Sequence, residues 1–203
     1  RTEQNMGPFP YERDVLSKGI EKLSQLGARE ILLKLFLDTN TDKSTDKQLA
    51  DSFKTIPVTL QARIDDKQRK ANPLLPEHKL SKEFILKSSI RGDSGWLPII
   101  GFSQNAKAVG FIDSIYPAYF VETYQDDAVG SLYFHALESI YGTKIVLKGN
   151  QLYLGNIEIM LNAKSEYNYD WIPHLQYEHI SFIDIMQSRV SADRVAGKYV
   201  ILG

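Results

Sequence analysis

The chain has 203 residues, 43% of them apolar, with 24 basic against 25 acidic side chains and no cysteine. This balance supplies no electrostatic drive toward nucleic acid or anionic membranes. The lack of cysteine excludes thiol catalysis, disulfide frameworks and thiolate zinc sites.

At this length one domain can bury roughly 70% of its unfolded surface in a single core, so residues 1–203 are expected to form one domain. The chain opens on Arg1 and a polar stretch ahead of Gly7-Pro8-Phe9-Pro10, and it stops just after an apolar run, so it reads as an excised piece. No apolar run reaches the ~18 residues of a membrane-spanning helix, and no secretory leader is present, so any membrane helices of a parent protein are expected outside it.

In chain order, Val15, Ile20, Leu23 and Leu26 fall near helical spacing, which predicts a helix over 13–26 stopped by Gly27. Ile31 to Leu37 reads as a strand. Asp46 begins a second helix to about Thr55, Pro57 interrupts, and Val58 to Ala62 is extended again. Residues 63–95 break the alternation with charge, Asn72-Pro73 and Leu75-Pro76, and a long, mobile insertion is expected there.

Order resumes at Trp96 to Phe102, with strands at Val109 to Ile112 and Tyr119 to Thr123 and a helix from Ser131 to Tyr141 ended by Gly142. Three short strands, Lys144 to Lys148, Leu152 to Leu154 and Ile157 to Leu161, are joined by Gly149-Asn150 and Gly155-Asn156 and read as an antiparallel meander. Ser181 caps a short helix to Met186, and Tyr199 to Leu202 fits a strand buried on both faces. The expected fold is α/β: a mostly parallel central sheet with helices on both faces plus a short antiparallel meander.

Four segments, in this order, resemble the second CHASE family of bacterial extracytoplasmic sensor domains. They are Gly7-Pro8-Phe9-Pro10-Tyr11-Glu12-Arg13, the stretch from Gly27 to Phe36, Val109-Gly110-Phe111-Ile112-Asp113, and Ser181-Phe182-Ile183-Asp184-Ile185-Met186 with Gly197 to Gly203. Two departures stand out: Lys34 where the family has Asp, and Ser114 to Tyr119 in place of an Asp-Pro-Asp-Gly stretch. The resemblance implies a periplasmic sensor domain anchored to the inner membrane through segments outside this chain. The parents in that family are adenylate or diguanylate cyclases, histidine kinases and serine/threonine kinases.

Gly92-Asp93-Ser94-Gly95 resembles a serine-protease nucleophile turn, yet the only upstream histidine is His78, so a structural turn is favoured. His174, Glu178 and His179 miss metal-motif spacing, and His135 on an apolar helix reads as an interior histidine. Asp65-Asp66 and Asp126-Asp127 read as solvated loop acids. Neither a Gly-x-Gly-x-x-Gly nor a P-loop motif occurs.

Lys34, flanked by apolar residues on an expected buried strand, would if buried need a partner such as a ligand anion or Asp113, and a snorkelling or edge position is the favoured reading. Tyr167 to Pro173 forms an aromatic loop suited either to a pocket or to covering the sheet.

The reading is a non-catalytic sensory input domain without a cofactor. It takes an unidentified small-molecule or protein signal, binds no nucleic acid, and has a homodimer as one open arrangement. A small-molecule-processing α/β enzyme such as a hydrolase, and an interaction module, stay open as alternatives. In open α/β sheets ligands gather beyond the carboxyl ends of parallel strands. That places Asp38, Thr39, Asn40, Asp113 and Ser114 at a candidate binding rim, joined by Tyr11, Arg13 and Lys34.

Overall fold

A computed structural model describes residues 11–64, 71–114, 117–168 and 178–203. Helix α1 (Arg13–Gln25) forms where Leu16, Ile20 and Leu23 recur at helical spacing, and all three are buried. Gly27 ends it at φ +80°, a left-handed conformation that lets Ala28 N–H return to the Leu23 carbonyl.

Strand β1 (Glu30–Leu33) is buried throughout and stops well before the expected end at Leu37. Helix α2 (Lys43–Ser52) starts three residues earlier than expected, because Asp42 caps it by accepting from Ser44 and Thr45 N–H, both at 3.0 Å. Asp42→Ala should therefore lower stability by about 1 kcal/mol in urea unfolding, and no change in midpoint would contradict that role.

Strand β2 (Val58–Ile64), the short pair β3 (Arg91–Gly92) and β4 (Gly95–Trp96), and the one-turn helix α3 (Ile100–Ser103) come next. They lead to β5 (Ala108–Phe111), β6 (Val121–Tyr124), β7 (Asp127–Gly130) and α4 (Leu132–Tyr141). The chain then forms β8 (Ile145–Lys148), β9 (Gln151–Leu154), β10 (Ile157–Ile159), the short helix α5 (Phe182–Met186) and β11 (Tyr199–Leu202).

The central sheet runs β11-β1-β2-β5 with every neighbouring pair parallel, and β4 joins the far end of β2 antiparallel. One face carries Ile31, Leu33, Val58 and Leu60 into a core completed by Leu16, Ile20 and Leu49 of α1 and α2. On the opposite face α4 lies close over β5. Gly110 makes this approach possible, since a Cβ there would stand 2.6 Å from Leu132 Cα. Glu30, 2% exposed on this face, accepts from Thr59 Oγ1 at 2.8 Å and meets Lys107 Nζ at 2.6 Å, so its buried charge is paired.

The expected antiparallel meander forms as β8-β9-β10, with Gly149 and Gly155 both at positive φ in its turns. Its inward Ile145, Leu152, Leu154 and Ile159 join Phe120, Val121 and Phe134 in a second core cluster. A third sheet, β3-β6-β7, packs beside the carboxyl end of β5, with Tyr124 against Phe111 at 5.7 Å between centroids.

Two expectations are corrected. Residues 71–95 of the stretch assigned to an insertion are built into the fold: His78, Phe84 and Leu86 are buried, and β3 and β4 each pair with a neighbour. Strand β11 pairs with β1 but is not buried on both faces. Val200 and Leu202 pack against the core, whereas Ile201 on the other face is 63% exposed.

Candidate functional site

Because β11, β1, β2 and β5 run parallel, their carboxyl ends share one rim, and the described residues place two polar foci there. The first follows β1. Arg13, in the opening turn of α1, donates from Nη2 to the Thr39 carbonyl at 3.3 Å, and its Nε lies 3.4 Å from Asp46 Oδ1. Its guanidinium also sits 5.4 Å from the Phe102 ring centroid, a cation–π contact.

Burial pushes the Arg13 pKa down, while the nearby carboxylates of Asp46 and Asp38 act to raise it. Asp46 is itself positioned by Thr41, accepting from its N–H at 2.8 Å and its Oγ1 at 2.9 Å. Asn72 ties this corner to the segment ahead of α3 by donating to the carbonyls of Asp38 and Leu97, both at 2.8 Å. Tyr11 stacks on Phe182 of α5 with centroids 5.5 Å apart and planes 7° off parallel.

The second focus follows β5. Asp113 Oδ2 accepts from Ile64 N–H at 2.8 Å, and Oδ1 lies 3.7 Å from Arg63 Nε. Glu122 of β6 is 1% exposed. Burial, then the Asp113 carboxylate, raise the Glu122 carboxyl far above the ordinary carboxylate range. A depression of about 400 Å³ lies near both foci, sharing Asn72 with the first and Tyr124 with the strand of the second.

The structure thus brings Arg13 onto Thr39 and beside Asp38, with Tyr11 turned toward α5. Asp113 is held apart from them, at the end of β5. Thr39 and Asn40 are exposed and Ser114 is half-buried. Lys34 follows the end of β1 with its side chain exposed, in keeping with an edge or snorkelling position, and its N–H donates to the Leu202 carbonyl at 2.8 Å.

The remaining candidates resolve as follows. Gly92 and Gly95 stand in β3 and β4 where a Cβ would meet Ile64 and the Arg63 carbonyl, so this segment is packing backbone. Asp127 pairs with Lys79 at 2.6 Å, and Glu178 pairs with Arg194 at 2.6 Å and Lys198 at 3.3 Å. Tyr167 packs edge-on against Phe120 at 5.2 Å. Asp65, Asp66, His174 and the aromatic loop from Tyr169 to Pro173 lie outside the described residues.

Sequence reading missed Asp46, Asn72 and Glu122. Only Glu122 carried a usable signal: it is a lone charge inside Tyr119-Phe120-Val121-Glu122-Thr123-Tyr124, an otherwise uncharged strand pattern.

Among the described residues no group of three or more His, Cys, Asp or Glu is placed to hold a metal ion. None of their helices is long and apolar enough to cross a membrane. The model of one protein family, the CHASE2 domain, matches residues 1–203. The chain belongs to the CHASE2 domain family. CHASE2 domains are extracytoplasmic sensory domains, which identifies the kind of task this α/β fold serves. No curated protein and no solved structure matches this CHASE2 chain. The rim must therefore be read from its own residues.

Proposed function

We propose that the chain is the non-catalytic input domain of a membrane-anchored signalling protein, held in the periplasm by segments outside residues 1–203. The observation that carries this reading is the CHASE2 family match over all 203 residues. An adenylate or diguanylate cyclase, a histidine kinase or a serine/threonine kinase is the output that the resemblance favours.

The stimulus is read at the carboxyl rim, at the Arg13–Thr39–Asp38 corner and the depression lined by Asn72 and Tyr124, which Asn72 links to that corner through the Asp38 carbonyl. The charges there offset one another, which suits a small polar ligand better than a polyanion.

The location is tested by fusing reporters after Gly203 in the full-length parent, expressed in a bacterial host. Alkaline phosphatase, which matures only outside the cytoplasm, should be active at this junction, and β-galactosidase should be inactive. The reverse pattern overturns the reading.

A further inference from the structure

The depression of about 400 Å³ beside the Arg13 corner is lined by oxygen acceptors, and no lining residue but the engaged Lys-free turn of β3 and β6 supplies charge: Asp93 is its one ionised group among the described residues. Asn72 uses both amide hydrogens inside the fold, on the carbonyls of Asp38 and Leu97 at 2.8 Å each, so its side chain is fixed and its Oδ1 is left as an acceptor. Tyr124 is 2% exposed with its ring packed on Phe111 at 5.7 Å, and among the described residues its hydroxyl has no hydrogen-bond partner. The Asp93 carboxylate likewise has no ion-pair partner among them.

The backbone brings these groups to one opening. Gly92 of β3 stands opposite Tyr124 of β6 in the parallel register. The residues that follow, Asp93 and Gln125, are tied together, because Gln125 N–H donates to the Gly92 carbonyl at 2.8 Å and Gln125 Nε2 to the Asp93 carbonyl at 3.4 Å. Gln125 holds φ +54° in the tight turn between β6 and β7, a left-handed conformation that residues other than glycine rarely adopt. Two described cations close to this turn in the chain or across the sheet are engaged elsewhere. Arg91 donates to the Leu86 carbonyl at 3.2 Å, and Arg63 of β2 lies 3.7 Å from Asp113.

A carboxylate and two held oxygens around one opening call for a cation rich in donors. An ammonium group offers only donors. A divalent metal fits less well, since calcium takes about six to eight oxygens and magnesium an octahedral set, with more than one carboxylate in a firm site. Ala71, Pro73 and Leu74 give the same depression an apolar part, suited to methylene groups. We propose that this depression binds a small aliphatic amine, its ammonium taken by Asp93, Asn72 Oδ1 and the Tyr124 hydroxyl and its hydrocarbon lying on Ala71, Pro73 and Leu74. That such an amine is the stimulus rests on the sensory reading above; the binding itself does not.

The test titrates the 203-residue chain with n-butylammonium chloride and follows the side-chain amides of Asn72 and Gln125 by NMR. Sodium butyrate, butan-1-ol and calcium chloride at matched ionic strength are the controls. Butylammonium should shift both amides saturably on the order of 1–10 mM, in keeping with a ligand of so few atoms. Butanol and butyrate should bind about tenfold more weakly or worse, because they lack the charge-assisted donors. Asp93→Asn keeps the shape of the turn residue and removes its charge, and should weaken butylammonium by about tenfold. Should that variant fail to fold, the comparison of the three butyl compounds on the wild type decides alone. Equal affinity for butylammonium and butanol, undiminished affinity in folded Asp93→Asn, a tighter response to calcium than to butylammonium, or no saturable shift at either amide overturns the amine site. An inactive phosphatase fusion leaves these titrations unchanged and removes only the role as stimulus, whereas failed titrations leave the sensory reading standing.

Discussion

Deleting residues after Gly197 should unfold the chain or drive it to aggregate. Strand β11 is the parallel partner of β1 in the register Glu30 to Tyr199 through Leu33 to Leu202. Its loss strips the ladder from one side of a strand that is buried along its whole length. Val200 and Leu202 leave the main core, and Arg29 loses both its hydrogen bond to the Lys198 carbonyl at 2.8 Å and its contact with the Tyr199 ring at 5.4 Å. The Tyr199 hydroxyl also anchors α4 by donating to the Ser139 carbonyl.

Half-buried apolar side chains and a lost ladder together are worth on the order of 4–6 kcal/mol, comparable to the whole stability of many domains. The freed edge of β1 is apolar and open to pairing with other chains. Size-exclusion and circular dichroism would report the collapse, and a truncated protein with the parent melting temperature would refute the role given to β11. Ile201→Ala serves as the control. That side chain is 63% exposed, and the change should stay within about 0.5 kcal/mol.

What the sequence showed and what it hid follow from how each signal arises. Parallel strands announced themselves because burial on both faces forces unbroken apolar runs, as in Ile31-Leu32-Leu33 and Ala108-Val109, and the meander did so through its Gly-Asn turns. Strand length was overread at Leu35 to Leu37 because an apolar run does not show where pairing stops. Leu35 and Leu37 are buried in the same core without belonging to the strand.

The start of α2 was misplaced for a related reason. Asp42 and Asp46 are equally plausible caps by residue type, and only the three-dimensional position of Arg13, 26 residues from Thr39 in sequence, recruits Asp46 for an ion pair instead. At the rim, Asp113 lies two residues past the end of β5 and Asp38 five past the end of β1. Glu122 belongs to another sheet, so local position did not reveal it. The overlong strand reading is also what puts Lys34 among apolar neighbours; β1 ends at Leu33 and its side chain is exposed, as an edge or snorkelling position requires.

Acid should weaken this fold through His135 as well. The residue sits one turn into α4, its ring meets Phe134 edge-on at 5.5 Å, and its Nε2 is sealed without a hydrogen-bond partner among the described residues. Desolvation first, then the positive neighbours Lys144, His78 and Lys107, push its pKa down to about 4, opposed only by a hydrogen bond to the Val109 backbone.

The unfolded chain takes up this proton near 6.5 and the folded chain only near 4, so between those values the unfolded state binds more protons. Stability is therefore full above pH 6.5 and declines as pH falls through 4, by on the order of 2–3 kcal/mol from this group alone. His135→Leu keeps an apolar body under β5 and removes the titration. Carboxylates such as Asp51, held at about 2 by Lys47 and Lys54, respond to acid equally in both proteins and cancel in the comparison. Urea midpoints at pH 6.5, 5 and 4 should show the variant losing less stability than the wild type by that amount, and parallel losses in the two proteins would show that His135 is not protonated at the expense of the fold.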